Sequence, residues 1–261
     1  MWYRPLIDVF KIKELRKKVL FIFFIFAIFR ILANIPIPGI DAQKLKEFFE
    51  QFRMFGLLNV FTGGTLERFS IALLGLGPYV ISVVILQLLT MVFPSLEKMY
   101  KEGGEEGRRK FEQYGRILTP FLAMLQAFGM LALFSREGII TNLSPLSMIS
   151  SIFVISAGTV FLMWLGELIS ERRIGEGISL LIFAGIVAEF PMNLLAMITG
   201  FEISKLFSYF LFFLMALLII IFVVIVTEAR RIITVAYSKR VRGFRMYGGA
   251  STYLPIAINP A

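Results

Sequence analysis

The amino-acid sequence predicts an all-α, polytopic helical membrane protein, and three observations carry that class. Of 261 residues 57% are hydrophobic, with a mean hydropathy of +0.80, which is too apolar for one soluble core. The apolar residues gather in runs that approach the roughly 20 residues needed to cross a bilayer. Lysine and arginine are spread unevenly between those runs, as they are when a chain passes back and forth through a membrane.

Six spans are expected, at residues 19–33, 71–93, 117–134, 147–165, 178–198 and 206–226. The basic stretch before the first does not read as a cleaved signal, because no small-residue cleavage site follows the apolar run. That first run is short and contains Arg30, which can snorkel to the interface from near a helix end. Asn34-Ile35-Pro36-Ile37-Pro38-Gly39 then reads as a stiff, extended exit. In the fifth run Glu189 and Pro191 follow Ala188, so an interrupted span is expected there, of the kind that lines a cavity.

The stretch 55–93 is the most informative. Its first part is apolar but short, and Gly63-Gly64 closes it; Gly75, Gly77 and Pro78 break the following run near its start. Lipid cannot satisfy the backbone groups that such breaks release, so they belong inside protein or along an aqueous path. Two local readings stand. One is a re-entrant half-helix, a turn and a kinked span facing a pore. The other is an outside loop with an interfacial amphipathic helix, followed by an ordinary proline-kinked span.

With the N-terminus inside, the inner segments hold 20 of the 27 lysines and arginines and the outer segments 6. Both ends of this chain are therefore expected in the cytoplasm, with residues 1–18 as the N-terminal segment. The loop 97–116 mixes both signs around glycines and reads as solvated. The tail 227–261 sets Arg230, Arg231, Lys239, Arg240, Arg242 and Arg245 against Glu228 alone. It either anchors the sixth span to anionic headgroups or docks an acidic or RNA-rich partner. Ending at INPA without a cap or closing charge, it reads as a chain cut inside a cytoplasmic loop. No stretch outside the spans is long enough for a second domain, so residues 1–261 read as one membrane domain.

The chain contains no cysteine and no histidine, which excludes disulfides, thiol chemistry, Ser-His triads and most zinc sites. Its aspartates, Asp8 and Asp41, lie outside the apolar runs, and no phosphate-binding G-x-x-x-x-G-K-[ST] loop occurs. An enzyme is not expected, nor a cofactor.

Several stretches together resemble the SecY family, the channel subunits of the protein-conducting translocon. They are IPIPGID at 35–41, ALLGLGPYVISVVILQLL at 72–89, KEGGEEGRRKFEQYGR at 101–116 and WLGELISERRIGEGISLLIFAGIVAEFP at 164–191. The tail stretch YSKRVRGFRMYGGASTYLPIAIN at 237–259 looks like the family's loop between its sixth and seventh spans. The resemblance covers the family's first half and one helix of its second, and implies half of a two-halved channel, truncated before a seventh span.

The resemblance also implies roles. Residues 55–65 look like the plug that closes the resting pore, with Phe55, Leu57, Leu58, Val60, Phe61, Gly63 and Gly64 in it. Leu76 and Val80 on the second span, and Ile178 and Ile182 on the fifth, sit where the family forms an apolar pore ring. Each pair is i, i+4 and projects from one helix face, and an apolar collar can gate by dewetting. Gln87 lies on the span that resembles one side of the lateral gate, where a signal helix would leave for lipid, or it hydrogen-bonds a neighbouring helix. Lys239, Arg240, Arg242 and Arg245 fall on the docking loop. The implied partners are the membrane subunits SecE and SecG, the SecA ATPase or a ribosome, secretory preproteins with their signal sequences, and membrane lipid, all at the cell membrane. Three positions depart from the family's pattern: Arg173 replaces a usual glycine, Glu176 a small amide and Ala257 a lysine. The rival is half of a secondary transporter, which also uses broken helices but keeps ionisable groups deep in its spans.

Overall fold

The apolar runs become helices in a computed structural model of the chain. It describes residues 11–38, 40–52, 56, 59, 62–140, 144–200, 206–236, 240–242, 245–247 and 251–257. Eight helices have described bounds: α1 Lys13–Ala33, α2 Ala42–Gln51, α3 Gly77–Thr90, α4 Pro94–Lys101, α5 Gly104–Arg136, α6 Pro145–Glu171, α7 Gly177–Thr199 and α8 Leu206–Glu228. Four of them, α5 to α8, are long and apolar enough to cross a membrane, and the bent pair α3–α4 makes a fifth crossing if counted as one. The chain divides into two units, Met1–Leu195 and Ala196–Ala261.

In the first unit α1 turns Ile22, Ile25, Phe29 and Ala33 inward, the spacing of one helix face. The exit that follows is extended and stitched to neighbours: Ile37 N donates to Phe69 O (2.9 Å), Ile71 N to Ile35 O (3.0 Å) and Asp41 N to Ile139 O (3.1 Å). Asp41 caps α2, its carboxylate accepting from Gln43 N and Lys44 N. Leu45 and Phe48 of α2 then pack with Phe69 and Phe134 in a core at one end of α5.

α5 is the spine of this unit. Its buried residues Gly107, Phe111, Gly115, Thr119, Ala123, Ala127 and Leu131 recur at every fourth position. Each such step overshoots a full turn by about 40°, so the seam winds around the helix and meets different partners in turn. Phe111 stacks on Tyr100 of α4 with centroids 4.8 Å apart. Gly115 and Thr119 admit α3, where Ser82 Oγ lies 3.0 Å from Gly115 O and 3.1 Å from Thr119 Oγ1. Small residues bring the two backbones close, as membrane helices require. α6 is the most enclosed helix, and Gly158 lies so close to the Ile71 carbonyl that no side-chain carbon would fit.

Two expectations change here. The second run is not a helix from residue 71: residues 62–76 form successive turns, and α3 begins at Gly77 with Pro78 in its first turn, where the missing N–H costs nothing. α3 has 14 residues, about 21 Å, and the chain then bends by 111° into α4. The fifth run is not interrupted at Glu189 and Pro191; α7 runs through both. Glu189 is held by arginines from other elements, as described below, so the carboxylate need not break the helix to find partners.

The second unit contains α8, none of whose residues is buried, and a β-ribbon. β1 Arg230–Ala236 pairs antiparallel with β4 Ser251–Ala257, and β2 Arg240–Arg242 with β3 Arg245–Tyr247. The stretch read as a cytoplasmic loop holds, among its described residues, two antiparallel strand pairs in a chain that is otherwise mostly helical. Ile232, Ile233, Thr234 and Val235 supply the β-branched run that favours a strand. Pro255 is tolerated because a two-stranded ribbon has only edges.

Candidate functional site

Between the two glycines at 63–64 and the start of α3 the chain is irregular yet deeply placed. Leu66, Phe69, Ala72 and Leu73 are each at most 3% exposed. Backbone polar groups there must find partners within protein, and they do. Gly64 N donates to Asn59 O, Ser70 N to Thr65 O, Leu73 N to Ser70 O, Gly75 N to Ala72 O and Gly77 N to Leu74 O. Thr62 Oγ1 and Thr65 Oγ1 close the first turns on Asn59 O and Thr62 O, both at 3.1 Å. Gly63, Gly64 and Gly75 all adopt positive φ, which explains glycine at those positions.

This irregular segment, α3, α5 and α7 border a half-open pocket of about 390 Å³. Its wall is Thr62, Leu66, Leu73, Leu74, Leu76, Gly77, Val80, Ile81, Gln126, Met130 and Ile182. Three of the four residues expected in an apolar ring, Leu76, Val80 and Ile182, therefore surround one space. Ile178 does not line it. It is 8% exposed, packs against Gly166 of α6 and joins a core with Ile25, Phe29 and Leu181.

Of the residues expected in the plug, Gly63 and Gly64 are buried in the turn, while Phe55, Leu57, Leu58, Val60 and Phe61 lie outside the described residues. Gln87 is exposed on α3. Lys239 lies outside the described residues; the register pairs Arg242 with Arg245 and Arg240 with Tyr247.

Two features of the site were not expected. Gln126 and Thr62 give the cavity its polar side chains; Gln126 stands out only as a lone amide within the run 117–134. The second is a cluster of charges. Glu189 Oε1 accepts from Arg30 Nη1 and Nη2, each at 3.1 Å, and from Arg68 Nη2 at 3.3 Å. Arg30 Nη1 also donates to Gly63 O (3.1 Å), and Arg68 Nη1 to Asn34 Oδ1 (2.6 Å). A further pair, Arg116 with Glu167, joins α5 to α6. In these pairs Glu189 and Glu167 are each matched by arginine from another element, so neither stands as a lone charge for carrying an ion or proton.

Comparison with known proteins fits this geometry. The SecY family model matches residues 70–261. The protein named protein translocase subunit SecY from Thermotoga maritima is 41% identical over 97% of this chain and 60% of its own length. Those of Aquifex aeolicus (39%, over 97% of this chain and 61% of the relative) and Thermus thermophilus (41%, over 96% and 59%) are similar to the same extent. The chain thus spans about 60% of the length of the curated relatives it matches.

Proposed function

The chain belongs to the SecY family of multi-pass membrane proteins, and from that premise we propose that it forms the first half of the pore of a protein-conducting channel. Unfolded secretory polypeptides pass outward through that pore, and apolar segments leave it sideways into lipid past the α3 face that carries Gln87. The observation that carries this reading is the cavity at the head of α3, ringed by Leu76, Val80 and Ile182 beneath a buried, non-helical turn. An apolar constriction of this kind excludes hydrated ions while yielding to a passing chain. The segment 55–65 acts as the plug, with Gly63 and Gly64 as its inner hinge.

The channel acts within a translocase complex at the cell membrane, with SecE and SecG beside it. Force comes from the SecA ATPase or a translating ribosome at the cytoplasmic face, where the ribbon arginines dock. The chain itself supplies no catalytic group in this account.

The test uses the full-length protein in proteoliposomes with its membrane partners. Replacing Val80 and Ile182 together with asparagine wets the constriction, and resting ion conductance is expected to rise severalfold over the parent. Parent-level conductance at normal abundance of the double variant would remove the ring.

A further inference from the structure

Building on the channel reading, we propose that Arg30, Arg68 and Glu189 form an ionic latch that ties the buried turn 62–69 to α1 and α7 and holds the passage shut at rest. The turn is gripped at two points. Arg30, near the end of α1, reaches both the Gly63 carbonyl and the Glu189 carboxylate, so one guanidinium joins three elements. Arg68, within the turn itself, reaches the same carboxylate oxygen and Asn34, whose amide in turn donates to Arg30 O at 2.6 Å. The three bonds to Glu189 join ionised groups, the stronger class of hydrogen bond.

The surrounding backbone is shaped for the cluster. A side-chain carbon on Gly64 would land on the Glu189 carboxylate, and one on Gly63 would approach Gly185 Cα to 2.8 Å. Glycine at both positions is what lets the turn press onto α7 with the carboxylate beneath it. The Glu189 side chain is 15% exposed, against 33% and 36% for Arg30 and Arg68, so the anion is the buried member and the cations close over it.

The cluster bears on the passage because Thr62 and Leu66 of the same turn wall the cavity that Leu76, Val80 and Ile182 surround. A chain entering that space must push the turn away, and the turn leaves only if Arg68 releases the Glu189 carboxylate and Arg30 releases the Gly63 carbonyl. Phe69 stays stitched to Ile37 and marks the fixed end. With two cations on a single anion, neutralising Glu189 removes the attraction and leaves Arg30 and Arg68 repelling each other across the turn.

Residues 1–261 contain no cysteine, so in a full-length protein freed of any cysteine elsewhere a single introduced thiol reports the turn directly. Leu66 is 3% exposed, and Leu66→Cys in the full-length protein in proteoliposomes should react slowly with a membrane-impermeant maleimide. Adding Glu189→Gln, which keeps the side-chain size, or Arg68→Gln, which cuts one arm, is expected to speed labelling about tenfold and to raise resting ion current. If Glu189→Gln fails to accumulate, Arg68→Gln decides alone. Unchanged labelling in the variants that accumulate overturns the latch. Faster labelling without current, when the Val80 and Ile182 variant does leak, overturns it as a gate. Faster labelling when neither conducts keeps the latch and overturns the channel reading instead.

Discussion

Arg173 shows how a single residue carries a cost that the sequence pattern hints at and the backbone explains. It sits in the turn between α6 and α7 with φ 55, the left-handed region that glycine enters freely and other residues enter at a penalty. Glycine, which the resemblance leads one to expect at this point, would enter that conformation without the penalty. Arg173→Gly is expected to stabilise the protein by about 1 kcal/mol, read as a shift in denaturant midpoint in detergent. A loss of stability would mean that the guanidinium makes a contact worth more than the strain. Glu176, the neighbouring departure, accepts from Ser179 Oγ at 2.9 Å and sets its charge at the N-terminus of α7. The charges inside the spans were visible as residues but not as a cluster. Arg30 reads locally as a snorkelling cation and Glu189 as a break in a helix; 159 residues separate them, and no local pattern joins partners so distant.

At the scale of elements, α5, α6 and α8 were legible because each carries a long apolar run, whereas the polar helices α2 and α4 and the start of α3 were not. Hydropathy counts Ile71 to Leu76 as spanning residues, but Gly75 and the stitching of residue 71 to the α1 exit hold them in turns. The packing seams were also hidden in composition. Gly115 has room for a methyl group, with Val83 at 3.5 Å the nearest atom, while Gly158 abuts the Ile71 carbonyl. Gly115→Ala is thus expected to leave stability near the parent and Gly158→Ala to cost about 1–3 kcal/mol, measured by retention of monodisperse protein on heating. Equal behaviour of the two would contradict the packing. The ribbon escaped notice because its basic residues drew the eye from its β-branched ones. Its arginines make a separate prediction about docking. Attraction to anionic lipid is worth about 1 kcal/mol per basic residue whatever its shape, but pairing with carboxylate or phosphate uses the rigid fork of arginine. Arg240→Lys with Arg242→Lys should keep insertion normal and weaken motor or ribosome binding by roughly tenfold. A lysine variant equal to the parent in binding and translocation would make the ribbon a lipid anchor.

The first unit as a whole has two unlike ends, and that polarity gives the membrane orientation a structural basis beyond charge counting. At one end of α5, Phe111 stacks on Tyr100 of α4; at the other, Phe134 packs on Phe48 of α2 with centroids 5.4 Å apart. The 23 helical steps between those phenylalanines rise about 34 Å, close to the thickness of a bilayer's hydrocarbon core. α2 and α4 therefore lie on opposite sides of any membrane that α5 crosses upright. The basic residues say which side is which. Counted between the expected spans, the inner segments, that of α4 among them, hold 20 lysines and arginines and the outer segments, that of α2 among them, hold 6, an imbalance from which a cytoplasmic α4 side is expected. Residues 1–261 contain no thiol, so with any cysteine elsewhere in the protein replaced, cysteines placed one at a time at Lys44, Lys110 and Arg242 label without background. In intact cells an impermeant reagent is expected to reach position 44 only, and in inverted vesicles positions 110 and 242 only. Reaction of 44 and 110 from the same side would contradict the α5 crossing itself. Reaction of all three from the sides opposite to those expected would keep the crossing and invert the orientation, placing the ribbon arginines beyond reach of any cytoplasmic motor.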